Sequence, residues 1–157
     1  MTEYLGCEIH IEKDHTCGWI GQPHLYKNLE RQFGSIVKTQ QTTETPSTPG
    51  FHVVRNIPNA IYVTDEEQKL YRSGVGMLLY LVKHSWPDLS NGTQELLKVM
   101  DKAMEGQMKA LCRNIKYALD TQNIGLKLKP EDNDKNNGNW RHIQMQTSQV
   151  TKRHVSV

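Results

Sequence analysis

The chain has 157 residues, enough for one domain or a substantial piece of a larger one. With 36% hydrophobic and 7% aromatic residues and a mean hydropathy of −0.66, it is polar for a self-contained globule and suits a part that packs on neighbours. A formal charge of +2 does not announce a nucleic-acid binder, no apolar run is long enough to span a membrane, and three scattered cysteines do not make a disulfide framework. Without a signal-like apolar start, the expected setting is intracellular, cytoplasmic or nuclear, and not secreted. The Asn91-Gly92-Thr93 sequon then carries no meaning.

Tyr4 to Ile11 alternates, with Leu5, Cys7, Ile9 and Ile11 on one face and Glu8, His10 and Glu12 on the other, which predicts a half-buried strand. Lys13-Asp14-His15-Thr16 reads as a turn, and Thr16 to Ile20 as the returning strand of a β-hairpin. A helix is expected from about Pro23 to Phe33, with Leu25, Leu29 and Phe33 in one stripe and Gly34 as its stop. Residues 38–60 are rich in Thr, Ser, Pro and Gly, and Pro46, Pro49 and Pro58 forbid a regular element there.

The strongest helical signal runs from Asp65 to His84, with Leu70, Val75, Leu78, Leu79 and Val82 on its apolar face. Gly74 and Gly76 each cost such a helix roughly 1 kcal/mol relative to Ala, which suggests a close approach of another element. Trp86-Pro87 ends it. A second helix is expected from Asp88 to about Met104, burying Leu89, Leu96, Val99, Met100 and Met104, and a third from about Gln107 to Asp120, burying Met108, Leu111, Ile115, Ala118 and Leu119. Ile124 to Lys129 reads as a short strand, and beyond Pro130 all periodicity is lost.

Three patterns invite a chemical reading. Cys7, His10, His15 and Cys17 suggest zinc, but Cys7 and His10 project from opposite faces of the expected strand and no short Cys-x-x-Cys spacing is present, so a buried Cys7 and solvated histidines are the plainer account. Tyr62-Val63-Thr64-Asp65 approaches the polymerase signature Tyr-x-Asp-Asp. That chemistry needs adjacent carboxylates for two divalent ions, which Thr64 does not supply, and Thr64-Asp65 is better read as a helix cap. Lys109, Arg113 and Lys116 make a basic stripe, with Lys98 and Lys102 on the helix before. Glu95, Asp101 and Glu105 dilute it towards an ordinary solvated face. Trp19, Trp86 and Trp140 read as packing residues.

The segment Tyr71-Arg72-Ser73-Gly74-Val75-Gly76-Met77-Leu78-Leu79-Tyr80-Leu81 resembles the YRS-x-VG-x-LLYL signature of copia-type reverse transcriptases. Other pieces follow in that family's order: Tyr4-Leu5-Gly6-Cys7-Glu8-Ile9, Gly21-Gln22-Pro23-His24-Leu25, the Thr45-Pro46 to Pro49 loop, Pro87-Asp88-Leu89, and Ile115 to Thr121 followed by Gly125-Leu126. Trp86 stands where the family usually has arginine. The resemblance covers about Tyr4 to Pro130.

The resemblance implies a place as well as a function. In the family the metal-binding aspartates precede the Tyr-Leu-Gly strand, so this chain is expected to hold the end of the palm, the thumb and the connection, without the catalytic carboxylates. It implies no cofactor of its own, a parent polymerase that uses magnesium, and no activity in isolation. The implied partners are an RNA–DNA or DNA duplex, gripped by its backbone, and the rest of the reverse transcriptase with its RNase H. Arg72, Lys109, Arg113 and Lys116 are the candidate phosphate contacts. Tyr71, Arg72, Ser73, Gly74, Val75, Gly76, Leu79, Tyr80, Pro87 and Asp88 carry the structural signature.

RNase H in the family opens with a motif like Tyr-x-Asp-x-Asp-Trp/Phe-Ala-Gly-Asp, whereas this chain continues Trp140-Arg141-His142-Ile143. Codons can be assigned to residues 142–157 such that skipping two bases yields Tyr-Thr-Asp-Ala-Asp-Phe-Ala-Gly-Asp-Lys-Glu-Thr-Arg-Val-Ser. Only the first base of each recovered codon draws on third-position freedom. A frameshift near Arg141 is therefore expected to have scrambled the tail.

The expected fold is α+β: a hairpin and helix at the end of the palm (1–37), a Pro/Thr-rich loop (38–64), a helical thumb and connection region (65–129), and a disordered, frame-shifted tail (130–157), the whole incomplete as a domain. Two further functions stay open beside a non-catalytic fragment: a template–primer or RNA-binding module kept from the thumb, and a host-retained interaction module using the apolar Leu78/Leu79/Val82 face.

Overall fold

A computed structural model of the protein describes residues 2–4, 6–11, 17–55, 57–129 and 144–149; for 2–4, 124–129 and 144–149 it describes the backbone alone. The fold is α+β. Among the described residues, an N-terminal antiparallel hairpin precedes four α-helices. The chain divides into two compact units: Met1–Pro23 with Gln122–Val157, and His24–Thr121.

The first unit is an antiparallel sheet in the order β1 (Thr2–Tyr4), β2 (Cys7–Ile11), β3 (Gly18–Gly21), β4 (Ile124–Lys129), β5 (Gln144–Gln149). The single strand expected from Tyr4 to Ile11 is broken at Gly6, whose φ of 73° suits glycine and reverses the chain, so that Tyr4 pairs with Cys7. Cys7 is buried, while Ile11 is 60% exposed despite its place in the alternation. Leu5 and residues 12–16, which include the turn expected at Lys13 to Thr16, lie outside the described residues. β3 returns along β2, with Ile9 opposite Ile20 and His10 opposite Trp19.

β4 spans the expected residues but pairs with β3, far upstream in sequence. Such non-local pairing leaves no local pattern in the sequence. β5 lies in the tail expected to lack regular structure. Its ladder to β4 runs from Ile124 opposite Gln149 to Lys129 opposite Gln144. Backbone pairing along an open strand edge does not require apolar alternation. The rest of 130–157, with Trp140 and the proposed frameshift point, lies outside the described residues.

The second unit is helical. α1 (Pro23–Val37) runs past Gly34, because Val37 extends the Leu29/Phe33 stripe into the core and Lys38 N donates to Gly34 O at 3.0 Å. α2 (Asp65–His84) matches the expected span. Thr64 caps it: its hydroxyl accepts from Glu67 N at 3.3 Å, and the Glu67 carboxylate accepts from Thr64 N at 2.9 Å. Its buried face is Tyr71, Gly74, Val75, Leu78 and Leu81. Leu79 is 43% exposed, and Leu70 and Val82 are only half-buried, so the face is rotated from the one read in sequence. A Leu78/Leu79/Val82 docking face is thus divided, because Leu78 belongs to the core.

Pro87–Leu89 forms a short 3-10 turn, followed by α3 (Ser90–Leu97) and α4 (Glu105–Asp120). The helix expected to run to Met104 therefore stops at Leu97. Side chains of α2 hold the next turn out of helical geometry. Tyr71 Oη donates to Leu96 O at 2.8 Å, Gln68 Nε2 and Arg72 Nε both donate to Met100 O at 2.9 Å, and Ala103 N donates to Gln68 Oε1 at 2.8 Å. Met104 N finds Gln107 Oε1 at 2.7 Å, which starts α4 two residues earlier than expected. The core apolar residues are nevertheless much as anticipated: Leu89, Leu96, Val99, Met104, Leu111, Ile115 and Ala118 are buried, while Met100, Met108 and Leu119 are half-buried.

Candidate nucleic-acid interface

The basic residues singled out in sequence occupy unlike environments. Arg72 is spent on structure, with Nε on Met100 O and Nη2 on Asp101 O at 3.3 Å. Lys116 pairs with Asp120 at 2.6 Å, one helical turn on. Lys98 pairs with Glu95 at 2.5 Å, and the Lys102 ammonium stands 4.0 Å from the centre of the Tyr62 ring. Lys109 is exposed and makes no ion pair among the described residues.

Lys109 and Arg113 converge on a cleft of about 300 Å³ between α4 and the Pro/Thr-rich loop, lined also by Ser47, Thr48, Phe51, Gly106, Ala110 and Asn114. None of these eight residues is acidic. Arg113 Nη2 reaches Thr45 O and Thr45 Oγ1 at 3.4 Å each, long for charge-assisted bonds, which centre near about 2.8 Å. Its Nε is buried with no hydrogen-bond partner among the described residues. Asn114, 1% exposed, donates to Ala110 O at 2.8 Å and meets Ser47 Oγ at 3.4 Å.

The loop wall is fixed at two points. Gly92 of α3 faces Ser47 and Asn114 so closely that any Cβ would collide with Ser47 Oγ and Asn114 Oδ1. Glu95 accepts from Val53 N at 2.9 Å, meets His52 Nδ1 at 3.1 Å and pairs with Lys98. The Lys98 bond, the Val53 amide and the His52 charge together hold the Glu95 carboxyl below its usual range. Arg55 adds a hydrogen bond to Lys98 O.

Ser47, Thr48, Phe51 and Asn114 were not singled out in sequence, and Glu95 was read only as diluting the basic stripe. Their roles depend on contacts between the loop and helices 42 to 67 residues further along the chain, which no periodicity reveals. The Cys/His pattern resolves towards packing. Cys7 Sγ, buried, accepts from Gln22 Nε2 at 3.3 Å, Cys17 is buried, and His10 faces outward; His15 lies outside the described residues. Thr64 serves as a cap, as above. Trp86 is 6% exposed, in keeping with a packing residue.

No family model, curated protein or solved structure matches the chain.

Proposed function

We propose that the chain is a thumb-and-connection segment of a copia-type reverse transcriptase, which holds a template–primer duplex by its phosphates and does not itself join nucleotides. The observation that carries this reading is the fit of the signature to α2, where its residues have individual structural work. Tyr71 donates to Leu96 O, Arg72 to the Met100 and Asp101 carbonyls, and Ser73 to Gln32 Oε1 at 2.9 Å. Gly74 admits Phe33, Leu111 and Ile115, while Leu78 and Leu81 fill the core. A motif this specific is what a helix organising its neighbours would require.

Lys109 and Arg113, flanked by hydroxyl and amide groups, supply the donors that a nucleic-acid backbone accepts. The rest of the reverse transcriptase and its RNase H would be the partners in the parent polyprotein. The use of Thr64 as a cap, where the Tyr-x-Asp-Asp pattern would need a carboxylate, supports the non-catalytic part of the reading.

The test is fluorescence anisotropy of the whole chain with an RNA–DNA hybrid across a salt series. Binding should weaken with salt at a slope set by roughly two to four phosphate contacts. No binding at low salt removes the duplex reading, and primer extension with magnesium and nucleoside triphosphates removes the non-catalytic one. The frame-shifted tail is checked by the source nucleotides: the shifted frame must encode Asp-Ala-Asp-Phe-Ala-Gly-Asp.

A further inference from the structure

We infer that the cleft between the 45–51 loop and α4 seats one unpaired nucleotide, its phosphate on Lys109 and Arg113 and its base on the Phe51 ring. The inference deepens the nucleic-acid reading above and rests on it. About 300 Å³ is the scale of a small-molecule site, roomy for an inorganic phosphate and far too small for a duplex.

The floor of the cleft is bare by composition. Gly106 and Ala110 present almost no side chain, and a Cβ on Gly106 would meet nothing within 4 Å. Gly106 is exposed, so that floor is open to a flat ligand.

The walls carry the complementary chemistry. Lys109 is exposed, and the Arg113 Nη2 holds only two long bonds to Thr45, so both cations can turn to an incoming phosphate. Phe51 offers a half-buried ring to any base, a tolerant mode of recognition because every base has a π-face. Ser47 and Asn114 are joined by hydrogen bonds of 3.4 to 3.5 Å, long enough for a base edge to compete for them. The walls are also set before any ligand arrives: Gly92 lets Ser47 seat against Asn114, and Glu95 pins the loop beyond Phe51.

Titration calorimetry on the whole chain would compare adenosine 5′-monophosphate, adenosine, inorganic phosphate and a single-stranded oligothymidylate. The monophosphate should bind at least tenfold more tightly than adenosine or phosphate alone. Phe51→Leu and Lys109→Ala should each weaken it at least fivefold, and Gly106→Leu, which fills the floor without touching a charge, should abolish it. Circular dichroism melts confirm that each variant folds. A tighter oligothymidylate marks a strand as the natural source, and equal affinity marks a free nucleotide. Equal binding of phosphate and monophosphate, or indifference to Phe51→Leu or Gly106→Leu, overturns the inference. Hybrid-duplex affinity measured alongside separates the two claims: duplex binding without nucleotide binding rejects the cleft and leaves the proposed function standing.

Discussion

Gly74 lies so close to Phe33 that a Cβ built on the glycine would stand 2.7 Å from the ring's Cζ, with Leu111 Cδ2 at 3.0 Å and Ile115 Cδ1 at 3.3 Å. α1 and α4 thus both press on α2 at a position where it has no side chain. Gly76, two residues on, faces open space. Gly74→Ala should therefore destabilise by about 1–3 kcal/mol through overpacking, despite the better helix propensity of alanine. Gly76→Ala should stabilise by up to about 1 kcal/mol. Urea unfolding of the two variants checks the opposite signs, and equal effects would contradict the packing described.

Burial pushes the Tyr26 and Tyr71 phenols above their ordinary range. A proton held more tightly in the folded state stabilises it fully below the unfolded pKa of about 10, and that stability is lost as pH rises beyond it. Thermal melts should show Tm falling steeply above about pH 10. Tyr71→Phe should flatten that fall and, through loss of the bond to Leu96 O, lower stability at neutral pH by about 1–2 kcal/mol.

Glu95 has the opposite sign. Its carboxyl is held low by Lys98, Val53 and His52. The stability it contributes is present above the unfolded value of about 4.3 and is lost as pH falls through the lower folded value. Glu95→Gln should reduce stability at pH 7 and shrink its further decline in acid, measured by urea midpoints at both ends. Limited proteolysis in the 51–55 segment should rise with it.

The basic residues should not contribute alike to duplex binding. Lys116 already has Asp120, whereas Lys109 has no ion pair among the described residues. Lys109→Ala should reduce the salt slope by about 1, and Lys116→Ala by clearly less. Anisotropy across a salt series compares them directly.

Much of the helical body was legible because periodicity and capping are local. Asp65 and His84 bound α2 as read, Thr64 caps it, and Ile124–Lys129 is a strand. The failures share one cause. α3 stops at Leu97 because Gln68 and Arg72, on another helix, claim the carbonyls and amides beyond it. The α2 face was misjudged because Tyr71, Gly74 and Leu81 take buried positions, while Leu79 is exposed and Val82 only half-buried. Of the cleft, only Lys109 and Arg113 were visible as a charge pattern. Ser47, Phe51 and Asn114 come together through the loop, and a polar loop sequence does not say where it lands.

The strand order gives the two units different histories during synthesis. His24–Thr121 is an unbroken stretch of chain, so its helices have all their partners once residue 121 has left the ribosome. β3 must wait for β4, more than a hundred residues later, before that edge is paired. The sheet is therefore the slow, high-contact-order part, completed after the helical unit has formed.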